Sequence, residues 1–176
     1  GGKSSQNGGA LPYGAADNPA DPGSGSGGRT GAGTGARGGG AALIDATGLV
    51  TVDGTISANG GSPGDAFGGG GSGGGINIRC RSFAGSGLLL ANGARGYTDG
   101  GNRGGGGGGG RIAVVYDPAA QSAQNAVAKP IVQLGANAGQ CYLGANVDET
   151  TYNGQPGTIY LTDGSFLFTP VMQGGQ

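Results

Sequence analysis

The chain has 176 residues, 48 of them glycine, with 9 Lys and Arg against 10 Asp and Glu, and no His or Trp. Glycine at about 27% is roughly four times ordinary usage, and each glycine inside a helix costs about 1 kcal/mol relative to alanine, which argues against a helical protein. The glycines do not recur at every third position, so the chain is not collagen. A net charge of −1 argues against nucleic acid held through phosphate contacts, and no apolar run approaches the ~18 residues of a membrane span, so no membrane insertion is expected.

In chain order, residues 1–37 read as a Gly/Pro-rich N-terminal arm, with Pro12, Pro19 and Pro22 among Gly, Ser and Asn. Gly2-Lys3-Ser4 resembles the end of a phosphate loop, but no strand precedes it and no helix former follows. From 38 to 163 the apolar residues gather into short segments at 49–52, 76–78, 88–90, 112–115, 131–134 and 158–161. Gly-rich stretches separate them, which is strand punctuation. Disorder would call for high net charge as well as few apolar residues, so a folded chain is expected. Residues 118–127 are the only candidate for a helical turn.

A repeat of about 35 residues organises this region. Residues 73–80 align with 108–115, a weaker copy lies at 38–45, and a later one at 156–161. A second element alternates with the first: 55–60 aligns with 88–93, and more loosely with 131–137. Ala-Asn-Gly at 58–60 and 91–93 reads as a turn, because Asn and Gly tolerate positive φ. Alternate strand residues share a face: Ile76, Ile78 and Cys80, then Ile112 and Val114, then Ile159 and Leu161. Each apolar face is too narrow to fold alone, and stacking the units would make it continuous.

Two glycine runs lie inside the repeat, directly before a strand: Gly68, Gly69, Gly70, Gly71, Gly73, Gly74 and Gly75, and Gly104, Gly105, Gly106, Gly107, Gly108, Gly109 and Gly110. A flexible linker would fall between domains. The placement points instead to packing glycines. Polyproline-II-like chains without Cβ can lie side by side and satisfy one another's backbone groups.

The pattern "TISANGG … GGGGSGGGINI … GSGLLLANG … GGGGGGGRIAVVY … GQPGTIYL" resembles the glycine-rich repeats of large secreted and cell-surface bacterial proteins. Its glycine clusters are similar to the polyglycine layers at the adhesive tips of some phage tail fibres. The resemblance covers about residues 38–163. It implies an extracellular or cell-surface, non-catalytic, structural or adhesive role. The expected fold is all-β, a repetitive β-solenoid or layered β-sandwich with almost no helix. The expected function is a non-enzymatic structural protein that self-associates into a fibre or surface layer, or alternatively an adhesin or glycan-binding module, with ice binding a minor variant.

Residues 164–176 carry Phe166, Leu167, Phe168 and Val171. They read either as a cap on the open end of the repeats or as a strand that adds to a neighbouring copy. Without His, Ser and Cys triads lack their base, and no enzyme or cofactor is expected. Asp45, Asp53, Asp65, Asp99, Asp117, Asp148, Glu149 and Asp163 could offer oxygen ligands to Ca²⁺, with solvated turn carboxylates the default. Cys80 and Cys141 are the only cysteines, and in an extracellular setting a structural disulfide between them is expected. Arg79, Arg81, Arg95, Arg103 and Arg111, with Tyr97 and Tyr116, read as cations that balance the aspartates or meet surface glycans rather than nucleic acid.

Overall fold

The computed structural model describes residues 11, 13–28, 34–64, 68–99, 102–141 and 152–164. Strands β1 (Ala41–Asp45), β4 (Gly75–Arg79), β9 (Arg111–Val115) and β11 (Thr158–Leu161) form a parallel sheet in that spatial order. A second parallel sheet holds β3 (Thr55–Ser57), β6 (Leu88–Leu90) and β10 (Gln133–Gly135). A third pairs β2 (Leu49–Thr51) with β5 (Ser82–Ala84). The chain visits the sheets in rotation, so each of the first two repeats lays down one strand of every sheet. A short antiparallel pair, β7 (Thr98–Asp99) and β8 (Asn102–Arg103), leads into the second glycine run.

The inward residues of the three sheets meet in one apolar core. Ile76, Ile78, Ile112 and Val114 come from the first sheet, Leu89 from the second and Phe83 from the third, and all are fully buried. Ile44, Ile56, Leu134, Ile159 and Leu161 flank them, partly buried. The register places Ile76 opposite Ile112 and Ala42 opposite Ile76. That is one residue away from the sequence alignment of 73–80 with 108–115 and 38–45. Glycine runs carry no side-chain information to fix an alignment, whereas a one-residue slip in a sheet would turn every core residue outward.

The all-β expectation is corrected by α1 (Pro118–Val127) and by the open sheets. The chain is mixed in character: strands in open parallel sheets, plus a ten-residue helix. The helix forms where glycine is absent. Asp117 caps it, its Oδ1 accepting from Ala120 N at 2.8 Å. Pro118 suits the first turn, and Ala and Gln supply good interior propensity. The helix sits where a further strand of the third sheet would lie. Its buried Gln121 serves the edge of β5 like a neighbouring strand: Oε1 accepts from Phe83 N at 2.7 Å and Nε2 donates to Phe83 O at 3.0 Å. An exposed sheet edge is thereby covered.

Candidate functional site

The apolar core fills only one half of the body. In the other half, extended segments pack without side chains. Segments 35–40, 68–74, 104–110 and 152–157 lead into the strands of the first sheet, and segments 58–61, 91–97 and 135–140 leave the strands of the second. The two sets run antiparallel: Gly104, Gly107 and Gly110 donate to Tyr97, Ala94 and Ala91 in turn. Within the first set the segments run parallel, as Gly70 and Gly73 donate to Gly105 and Gly108.

Donation follows a three-residue period. In segment 68–74, Gly69 and Ser72 donate to Gly27 and Ser24, Gly70 and Gly73 to Gly105 and Gly108, and Gly71 and Gly74 to Gly61 and Ala58. Three successive N–H groups therefore serve three different neighbours. Three residues per turn without internal hydrogen bonds is the polyproline-II helix. Close approach leaves no space for a Cβ. One added at Gly70 would fall on the carbonyl of Ala94, at Gly71 on Arg37, at Gly73 on Ala91, and at Gly107 on Gly71, each well inside van der Waals contact. Gly74, Gly104, Gly106, Gly109 and Gly110 meet backbone in the same way, and Gly68 meets the ring of Pro63. Gly108 differs, because a Cβ there would meet only Gln155 O at 3.6 Å and Ser72 Oγ at 3.8 Å.

The arm joins this array. Gly23 and Ser26 donate to Gly39 and Ala36, while Ser24 and Gly27 accept from Ser72 and Gly69. Ser26 Oγ also donates to Gly69 O and accepts from Ala36 N at 2.7 Å. Further back, Asn18 Oδ1 accepts from Asn77 Nδ2 at 2.7 Å and from Arg79 at 3.1 Å, which lays the arm over the outer face of the first sheet.

One expectation is corrected, and one feature carried none. Ala-Asn-Gly is not a positive-φ turn, since Gly14 and Gly85 are the only positive-φ glycines among the described residues. Instead the asparagines stack: Asn59 Oδ1 accepts from Asn92 N at 2.7 Å, and Asn92 Oδ1 from Asn137 N at 2.8 Å. The second is Pro156. Gly39 donates to Ser72, Gly73 to Gly108 and Gly109 to Gln155. The strand registers, offset by 34, 36 and 47 positions, relate Gly39, Gly73 and Gly109 in turn and make Pro156 the next position in that series. Proline has no N–H, and the ladder stops there.

The expected disulfide is corrected: Cys80 and Cys141 are separate thiols. Cys80 follows β4, whereas Cys141 bridges to Gly96, whose segment lies antiparallel to 68–74 with Tyr97 on Gly68. Roughly 11 extended residues, on the order of 35 Å, separate those two levels. A disulfide needs Cα atoms within about 7 Å. Burial pushes the Cys80 thiol up to about 11, so it stays protonated at neutral pH.

Tyr116 is buried, and its hydroxyl donates to Asp163 Oδ1 at 2.8 Å, which makes its ring part of the core rather than a stacking platform. Among the described residues no group of three or more His, Cys, Asp or Glu is placed to hold a metal, and no helix is long and apolar enough to cross a membrane. Gly2-Lys3-Ser4, Asp65, Asp148, Glu149 and the tail residues Phe166, Leu167, Phe168 and Val171 lie outside the described residues. No protein-family model, curated protein or solved structure matches the chain.

Proposed function

We propose that the protein is a non-enzymatic structural module of the cell surface or extracellular space, and that it self-associates through the end formed by β1, β2 and β3. The observation that carries the reading is topological. The first strand of each parallel sheet is an edge strand, and all three edges lie at one end. Such an end presents unpaired N–H and C=O groups in several ladders at once. Leu43 and Leu49, on two of those strands, are 60% and 51% exposed.

The opposite end is less suited to continuing the ladders. Gln121 of α1 occupies the β5 edge, and Pro156 ends the series of glycine donors. Pairing of two copies through their β1–β2–β3 ends, as a unit of a surface layer, fits this asymmetry better than an endless end-to-end fibre.

A single substitution addresses the edge. Gly75 N–H donates to Gly40 O, and Ala46 N–H to Arg79 O. By the two-residue alternation of a strand, Leu43 N–H points away from β4. Leu43→Pro therefore removes an outward donor while sparing the inner ladder. Sedimentation velocity over a concentration series should show association of the parent chain and a monomeric Leu43→Pro variant. A parent that stays monomeric into the high micromolar range would sink the proposal, as would a variant that associates like the parent.

A further inference from the structure

The arm identifies a type of groove that recurs along the glycine layer. Its segment 23–27 lies between segments 35–40 and 68–74. It donates to Ala36 O and Gly39 O and accepts from Gly69 N and Ser72 N. The floor is formed by Gly38, where a Cβ would fall on the arm's Gly23 carbonyl. The strand registers carry this set of groups along the layer by 34 and then 36 positions.

One step on, the position of Gly38 becomes Ser72. Its Cβ stands where an equivalent strand's carbonyl would lie, so the middle groove is closed. Two steps on, the position becomes Gly108, and the groove between segments 104–110 and 152–157 has a glycine floor again. The acceptors equivalent to Ala36 and Gly39 are Gly106 O and Gly109 O, and the donor equivalent to Ser72 N is Gln155 N, carried over by a final 47 positions. None of these three groups has a hydrogen-bond partner among the described residues. The spacing of the flanking segments matches the arm's groove: Gly109 N to Gln155 O is 2.8 Å, and Gly39 N to Ser72 O is 2.8 Å.

We propose that the groove between segments 104–110 and 152–157 binds an extended, glycine- and serine-rich segment of a partner chain, held by Gly106 O, Gly109 O and Gln155 N–H. The occupant's chemistry is set by the arm itself, whose Gly-Ser-Gly-Ser-Gly sequence fills the equivalent groove. It runs antiparallel to the flanking segments and offers two N–H groups three residues apart. It needs glycine where the arm has Gly23, because a Cβ there would fall on the backbone of the groove wall. The site does not involve the edges of β1, β2 and β3, and stands or falls separately from self-association.

The test is a titration of the whole protein with a synthetic peptide of residues 19–28, read by amide NMR. The Gln155 amide should shift saturably, together with those of Gly108 and Gly109. Gly108→Val should leave the fold in place, since a Cβ there makes only ordinary contacts with Gln155 O and Ser72 Oγ, and should abolish the shifts. A peptide carrying valine in place of Gly23 should fail to bind the unaltered protein, a control that needs no protein variant. Ser72→Gly should open the middle groove and raise the stoichiometry from one peptide to two. An absence of saturable shifts at millimolar peptide overturns the proposal, as does binding that the valine peptide reproduces.

Discussion

The two halves of the body solve the same problem with opposite materials. Around Phe83, Ile78 and Leu89, three sheets exclude water with interlocking side chains. Around Gly71 and Gly107, backbone packs on backbone, and cohesion comes from hydrogen bonds that, in segment 68–74, leave in three directions. The apolar half fails by losing atoms. The glycine half fails by gaining them. A core residue can be trimmed and its neighbours can partly relax into the space. A carbonyl fixed by its own hydrogen bond cannot retreat from a new methyl group without breaking the layer.

The largest effect should come from Gly107→Ala, which sets a Cβ against the Gly71 carbonyl. We expect a loss of about 4 kcal/mol or more, at the extreme of single substitutions, seen as collapse of the thermal transition. A change within a degree or two of the parent would mean that the layer is loose and the contrast between the halves false. Next is Phe83→Ala, in the fully buried core. It should cost about 3–5 kcal/mol by denaturant titration, and a cost under about 1 kcal/mol would show the third sheet to be peripheral. The smallest effect, with the opposite sign, belongs to Gly48→Ala. That glycine meets nothing within 4 Å and does not have positive φ. The substitution should stabilise by about 0.4–1 kcal/mol through the unfolded chain. Destabilisation there would mean that glycine is required everywhere, not only in the layers.

The sequence carried much of this, and where it fell short the cause was physical. Strands β1 to β4, β6, β9, β10 and β11 fall in or beside the apolar segments and repeat copies, because short apolar stretches between glycines have little else to form, whereas β5, which carries the buried Phe83, lay outside them, and the third sheet was missed with it. The 33-residue spacing of Thr55 and Leu88 is also the pairing register of β3 with β6. The register of the first sheet was less legible, since alignment there leaned on glycines that look alike wherever they stand. The helix was underestimated because the composition of the whole chain masked a glycine-free stretch after Asp117 with a cap and good formers. The Asn59, Asn92 and Asn137 stack could have been found, because its spacing repeats that of the strands before it; a turn was simply the more familiar use of Asn-Gly. The two thiols show the limit of pairing cysteines by number alone.

The glycine layers also bear on how the protein responds to temperature. Apolar surface exposed on unfolding raises the heat capacity by about 0.45 cal/K/mol/Å², whereas polar surface lowers it by about 0.26. A body that buries peptide groups in one half and hydrocarbon in the other sets these contributions against each other. Its heat-capacity increment on unfolding should fall below the usual ~12–15 cal/mol/K per residue, which flattens the stability curve. Cooling weakens hydrophobic cohesion, and a lattice held by backbone hydrogen bonds depends on that cohesion less. The protein is thereby built to change little in stability between warm and cold surroundings.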